Sequence, residues 1–292
     1  MNNYLLIIGF GLLAMGANAE EPLAKFGLLA DPQYTDHDNE IGRNYRAGKD
    51  ITKATLERFN QEERMDFVCN LGDIVDGRIK EELPEVIDVF KASRFPVRHA
   101  LGNHDMKKQS DEDLQKAFGL KDFNYQFKAG GVRFLVVHTL EISTMRTKGT
   151  PERAEADAYL KANEARKLRT YNGMMSTAGK RWLDEQLTAA DAAGEPAIVM
   201  THVPVWVKAS DASCIVWDAD EMLALLDRHP CLKAWFAGHH HPGGLDVRNH
   251  VLHKTVKGLC ERKEATGVIV SVFRDRIELK GFGAESDYTF RY

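Results

Sequence analysis

Pro96-Val97-Arg98-His99-Ala100-Leu101-Gly102-Asn103-His104-Asp105 reads as a short apolar strand ending in a turn that carries an amide, an imidazole and a carboxylate. Four other runs repeat this arrangement. Asp31-Pro32-Gln33 follows the apolar run 26–30, and Gly72-Asp73-Ile74-Val75-Asp76 follows 67–71. Thr201-His202 closes the run that begins at Ala197, and Gly238-His239-His240-His241 follows 232–237. Short continuous apolar runs of this kind make strands buried on both faces, and α/β sheets bind ligands just beyond the C-terminal ends of such strands. Asp, Asn and His are oxygen and imidazole donors suited to Mn, Fe or Zn. Five donor-bearing strand ends in one chain therefore point to a metal centre.

The segments between these strands read as helices. Ile51, Thr55 and Phe59 mark one face of a helix over 49–62. Leu83, Val86, Ile87 and Phe90 follow the i, i+3, i+4, i+7 spacing of an amphipathic helix. Ser110-Asp111-Glu112-Asp113 caps a short helix that ends at Gly119. The result is a β-α-β-α-β series, followed by an antiparallel hairpin over 123–138 turning at Gly130-Gly131. Further helices are expected from Thr177, with Trp182, Leu183 and Leu187 inward, and over 218–228, with Met222, Leu225 and Leu226 buried. Strands at 251–256, 267–273 and 277–282 are expected to finish a second sheet. Residues 141–172 are highly charged, with a solvated helix over 152–167, and the stretch 141–175 is the candidate for an inserted helical cap.

The chain has 292 residues, 43% hydrophobic and 28% charged, enough for a single α/β domain over 20–292. Its formal charge of −4 excludes nucleic-acid binding through a broad basic field. Any anion must be attracted locally, which bound metals accomplish. Residues 4–15 are mostly apolar and precede Ala17-Asn18-Ala19, the small-x-small pattern of a signal peptide cleaved after Ala19. The expectation is a secreted or periplasmic protein with no stable membrane insertion once the leader is removed; the alternative reading of the run is an uncleaved anchor. Cys69 sits in a central strand as a buried thiol, which leaves Cys214, Cys231 and Cys260 to form at most one disulfide.

In order, the five motifs resemble the calcineurin-like metallophosphoesterases, whose pattern runs D-x-H, G-D-x-x-D, G-N-H-[DE], H, G-H-x-H. Gln33 stands where most of that superfamily has His. With Ala30-Asp31-Pro32-Gln33-Tyr34, Arg43-Asn44-Tyr45-Arg46, the block from Cys214 to Trp217 and His241-Pro242-Gly243-Gly244, the chain resembles the manganese-dependent ADP-ribose/CDP-alcohol diphosphatase branch. His240, where that branch often has Asp, is a second small departure.

The resemblance implies a four-layer α/β/β/α sandwich of two mixed β-sheets flanked by helices. It also implies two divalent ions, Mn foremost with Fe, Zn and Mg as alternatives. By motif match Asp73 bridges them; one ion takes Asp31, Gln33, Asp73 and His241, the other Asp73, Asn103, His202 and His239. A metal-bridging hydroxide then attacks the phosphoanhydride of a small nucleotide-linked diphosphate such as ADP-ribose or a CDP-alcohol. The alternative enzyme is a broader phosphodiesterase or phosphomonoesterase for extracellular phosphate salvage. A non-catalytic metal- or phosphate-binding module is the reading from another class.

Replacing imidazole by the Gln33 amide oxygen makes the first site harder, favouring Mn or Mg over Zn; the other reading has Gln33 only hydrogen-bonding beside the ions. His104, adjacent to the ligand Asn103, is expected to face substrate and protonate or stabilise the leaving oxygen, with Asp105 orienting its ring. Asp76 either gives similar support or caps its loop, and His240 faces solvent. Arg43 and Arg46 are placed to clamp the second phosphate. Tyr34, Trp206 or Trp217 are the candidates to stack on a base.

Overall fold

The computed structural model describes residues 20–37, 39–107 and 109–292. The leader expected over 1–19 lies outside the described residues. The elements begin with β1 (Ala24–Leu29), α1 (Gly48–Phe59), β2 (Phe67–Asn70), α2 (Ile79–Phe90), β3 (Val97–His99) and α3 (Asp111–Phe118). The hairpin is β4 (Tyr125–Ala129) and β5 (Val132–Val136). A charged excursion follows, with β6 (Ile142–Ser143), α4 (Pro151–Ala162) and β7 (Gly173–Met174). Then come α5 (Thr177–Ala193), β8 (Ala197–Met200), α6 (Ala219–Leu226), β9 (Leu232–Ala237), β10 (Gly244–Arg248) and β11 (Val251–Thr255). The last strands are β12 (Gly267–Val272), β13 (Arg276–Phe282) and β14 (Tyr288–Arg291).

Two mixed six-stranded sheets carry the fold, ordered β14-β13-β12-β1-β2-β3 and β10-β11-β9-β8-β5-β4. Strands β1, β2 and β3 are parallel, as are β5, β8, β9 and β11. Along β1, Ala24, Phe26 and Leu28 face the core between the sheets, while Leu29 packs toward the helices. This period of two makes each central strand apolar on both faces. The Phe26 ring stacks on Phe67 at 4.9 Å and meets Phe134 and Phe236 edge-on at 5.2 and 5.9 Å. That aromatic cluster joins strands of both sheets.

One expectation needs correction. Strands β12 and β13 do not finish the second sheet. β12 pairs antiparallel with the free edge of β1, from Ala24 against Val272 to Leu28 against Val268, and extends the first sheet. Their apolar runs satisfy either sheet equally well, and the open edge of β1 decides the matter. Helix α3 behaves as its sequence dictates: the Ser110 side chain accepts from the Asp113 N–H, and Gly119 ends the helix in the left-handed region at φ 65°. The helix expected over 152–167 is shorter, because a single-turn 3-10 helix at Glu164–Arg166 follows Ala162. Ala156 of α4 packs with Ile142, Met174 and the fully buried Trp217. All four cysteines are free thiols. No helix among the described residues is long and apolar enough to cross a membrane.

Truncating Phe26 removes a ring that touches three others. Phe26→Ala is expected to cost about 3–5 kcal/mol, read as a lower urea midpoint with an unchanged slope.

Candidate metal centre

The donor residues meet along the C-terminal edges of both sheets because the loops leaving neighbouring strands bond to one another. The Asp31 N–H donates to the Gly72 carbonyl at 3.1 Å, and the Gln33 N–H to the Asp73 carbonyl at 2.9 Å. The Gly238 N–H donates to His202 at 2.9 Å, which ties the ends of β8 and β9. Asp31, Gln33, Asp73 and His239 all sit at positive φ, between 43° and 70°. Such conformations are costly for non-glycine residues and gather at functional sites. Gly102 is required by close approach, since a Cβ there would fall 1.9 Å from Asp73 Oδ1.

All seven expected ligands converge. Asp73, His202 and His239 present ligand atoms within 4.8 Å of one another. His202 Nε2 lies 3.3 Å from Asp73 Oδ2, 3.1 Å from Asn103 Oδ1 and 3.2 Å from His239 Nδ1. On the other side of Asp73, the Gln33 amide lies 3.1 Å from Asp73 Oδ2 and 3.1 Å from His241 Nε2, with Asp31 Oδ1 3.6 Å from that same nitrogen. For bonds of roughly 2.1 Å, adjacent ligands of one octahedral ion sit about 3 Å apart. The donor separations therefore fit an ion held by Asp73, His202 and His239, with Asp31, Gln33 and His241 gathered around the same Asp73 carboxylate.

The outer faces of the imidazoles argue the same way. The His202 Nδ1–H donates to the Leu71 carbonyl at 2.8 Å, and the His241 Nδ1–H to Glu261 at 2.8 Å. The His239 Nε2–H donates to Asn172 Oδ1 at 2.7 Å. Asn172 is itself locked, its amide N–H groups donating to the Ser213 and Ile215 carbonyls. Each ring thus turns its other nitrogen toward the centre, the usual support of metal-binding histidines.

Electrostatics add a second argument. Burial disfavours charge on His202, yet the Asp73 and Asp31 carboxylates raise its imidazole to about 9. Burial likewise opposes charge on His241, but Asp31, Cys260 and Glu261 hold it up at about 12. Burial pushes the Asp73 carboxyl up, and His202 and His104 more than reverse this, leaving it well below the carboxylate range. The buried carboxylates call for positive charge, which divalent ions supply. Gln33 Oε1 is buried without a hydrogen-bond partner. Turning that amide over aims its oxygen at the same point, a rearrangement that a cation between Asp73 and His241 would stabilise.

Two sequence expectations change here. Asp105 does not orient His104: its carboxylate accepts from the backbone N–H groups of Gly102, Asp73, Ile74 and Val75, at 2.8–3.3 Å. Burial and Asp73 push its carboxyl up to about 7, against the Gly102 and Val75 N–H groups. Asp76 is the partner of His104, its Oδ1 against Nδ1. Burial, opposed by Asp73, pushes the His104 imidazole down to about 4.

The second correction concerns substrate. The cleft over the centre, about 450 Å³, is lined by Arg43, Lys107, Met145, Tyr171 and His240 together with Gln33, Asp73, Asn103, His239 and His241. Arg43 is in place, but Arg46 bonds Asp36 at 2.7 Å away from the cleft. The Tyr34 ring is buried beneath Lys49 and its hydroxyl donates to Glu85, because its backbone pairs with Val75 and turns the side chain toward α1 and α2. Trp217 is core, and the Trp206 indole N–H donates to Asp246. His240, expected to face solvent, is half-buried at the cleft edge. Asn172, Glu261, Lys107 and Tyr171 carry no signal in the sequence: Lys107 follows the Gly102–Asp105 motif without a place in its pattern, and Asn172 and Glu261 stand 67 and 20 residues from the histidines they meet.

A family model described as calcineurin-like phosphoesterase matches residues 24–243. A manganese-dependent ADP-ribose/CDP-alcohol diphosphatase from Xenopus tropicalis is 29% identical, covering 94% of this chain and 95% of the relative. The human protein of the same description is 28% identical over the same shares. The crystal structure of a dimetal phosphatase from Danio rerio is 25% identical, with a TM-score of 0.86, covering 93% of this chain and all of that one. The fold and centre are those of a metal-dependent phosphoric ester hydrolase. The chain belongs to the calcineurin-like phosphoesterase family.

Because Asn172 fixes the His239 tautomer, Asn172→Ala is expected to weaken Mn²⁺ binding about 10–100-fold, measured calorimetrically on metal-stripped protein.

Proposed function

We propose that the protein hydrolyses the phosphoanhydride of nucleotide-linked diphosphates such as ADP-ribose or CDP-alcohols, releasing a nucleoside monophosphate and a phosphorylated fragment. The observation that carries this reading is the pairing of seven convergent donors, Gln33 among them, with the Arg43 guanidinium at the cleft. Among the described residues no carboxylate lies within ion-pair distance of Arg43. The resemblance to diphosphatases along almost the whole chain supports the same substrate class.

In this reading Asp31, Gln33, Asp73 and His241 hold one divalent ion, and Asp73, Asn103, His202 and His239 the other, Mn being favoured by the Gln33 oxygen. When bound, the ions supply Lewis acidity at the phosphoryl oxygens and ease deprotonation of the attacking water. Water adds to one phosphorus, the bridging P–O bond breaks, and the departing phosphate oxygen carries off the bond pair. His104 presents Nε2 to the cleft, 3.9 Å from Asp73 Oδ2; burial keeps the ring neutral in the free site, and the arriving phosphate anion favours its protonated form, whose Nε2–H donates to the departing oxygen. Asp76 behind Nδ1 provides the counter-charge a protonated ring needs. Arg43 holds the second phosphate, and Tyr171, 36% exposed and 5.5 Å from the His239 ring, offers the base a face.

Met145 and Tyr171 both come from the 141–175 segment, which we assign as a cap over the substrate, within a single domain over 20–292. The leader over 1–19 directs the protein to a secreted or periplasmic location, checked by fractionation and N-terminal sequencing of the mature chain.

The test is product analysis with Mn²⁺ on ADP-ribose, CDP-glycerol and, separately, AMP, with Asp73→Asn as control. AMP and CMP released from the diphosphates by the unmutated protein alone are expected. Free phosphate from AMP with both diphosphates untouched would replace this reading with a salvage phosphomonoesterase. In the same assay His104→Ala is expected to lower kcat about 10²–10⁴-fold with Mn²⁺ binding retained.

A further inference from the structure

Lys107 lies beyond the five motifs and has no role in the metal centre, yet its side chain reaches the cleft that covers it. Its Nζ sits 2.9 Å from Asp76 Oδ1 and 2.9 Å from His104 Nδ1. With the His104 Nδ1–H given to Asp76, Lys107 spends one of its three N–H donors on that carboxylate, leaving two. The path of the side chain is prepared. Gly77, at φ 89°, leaves the space over which the lysine stem passes, and a Cβ there would stand 2.7 Å from Lys107 Cδ.

Arg43 lines the same cleft, close enough that its positive charge acts on the Lys107 ammonium. Two like charges held together in a partly buried cleft are unfavourable unless an anion joins them. The nearby carboxylates offset these charges only in part: Asp73 acts on both cations, and Asp76 lies 2.9 Å from Lys107 Nζ. Asp73 and Asp31 belong to the metal donors, Glu261 accepts from His241, and Asp76 is shared with His104.

A nucleotide-linked diphosphate carries one negative charge on each phosphate. The centre can meet one; the other lies a bridging oxygen away and needs cations outside the donor set.

Resting on the diphosphatase reading, we propose that Lys107, with Arg43, forms the binding site for the second phosphate, the one not held at the metal centre. Lys107 thereby selects diphosphates over compounds with a single phosphate. Arg43 supplies a fixed fork and Lys107 a compact charge on a flexible stem, so the pair follows the phosphate as the anhydride opens.

The test compares binding of adenosine 5′-(α,β-methylene)diphosphate, whose bridge cannot be hydrolysed, with binding of AMP, by calorimetry on the Mn²⁺-loaded protein. Lys107→Met is expected to weaken the diphosphate at least about tenfold and AMP by less than about threefold, with Lys107→Arg restoring most of the loss. Kinetically, Lys107→Met should raise KM for ADP-ribose more than it lowers kcat, and should act less on bis(p-nitrophenyl) phosphate, which has one phosphorus. Equal weakening of both nucleotides, or an equal fall in kcat on both substrates, would reduce Lys107 to a positioning residue for Asp76 and His104 and overturn the proposal. Unmutated protein that binds the diphosphate no better than AMP would overturn it as well. Lys107-dependent binding of the methylene compound without cleavage of ADP-ribose or CDP-glycerol would instead remove the diphosphatase reading and leave a two-phosphate site.

Discussion

The Asp105 carboxylate is the joint on which the site depends. It takes N–H groups from Gly102, at the end of the third strand, and from Asp73, Ile74 and Val75, after the second. Four donors on one buried carboxylate pull two loops into a single rigid edge, and those loops carry Asp73 and Asn103. The clamp also explains the positive φ at Asp73. A loop free to relax would leave the left-handed region at Asp73, whereas one tied through three successive residues cannot.

Strain and buried charge compound one another here. Four candidate ligands occupy unfavourable backbone conformations, each costing of order 1–3 kcal/mol. Three carboxylates, Asp31, Asp73 and Asp105, are also almost wholly buried there. The Phe26–Phe67–Phe134–Phe236 cluster lies between the same strands. Sheet-to-sheet packing therefore holds the donors at coordination distance before any ion arrives. A preorganised set spends little of the binding energy of the ions on ordering loops.

The central strands, the helices between them and the seven candidate donors that converge are legible in the sequence, because each leaves a local mark: a short apolar run, a helical period, a polar group after a strand. Positions set by tertiary contact leave none. Nothing near Gly267 distinguishes a partner for the β1 edge from a partner for the second sheet. Nothing near Tyr34 says that its backbone pairs with Val75 and turns the ring from the cleft. The partner of His104 illustrates the same limit. Asp105 is its neighbour in sequence, but a turn sends adjacent side chains apart, and Asp76, twenty-eight residues away, comes to face the ring. Asn172 and Glu261 escaped notice because support for a ligand's outer nitrogen is a matter of space, not spacing.

Gln33 shows how a single departure reshapes such a centre. An imidazole at that position would bring a nitrogen donor and a ring needing its own outer partner, whereas the amide brings a neutral oxygen and a short reach. Its carbonyl oxygen stands buried without a partner, while its nitrogen faces Asp73 and His241. The amide nitrogen is satisfied by the carboxylate, and a half-turn of the terminal group would offer the oxygen to a cation instead. Hard, oxygen-preferring ions gain most from that half-turn. The net charge of the donor set is unchanged by the departure, so attraction for a phosphate survives while preference among metals shifts. In this centre, then, charge governs what substrate is drawn in, and donor type governs which ion draws it.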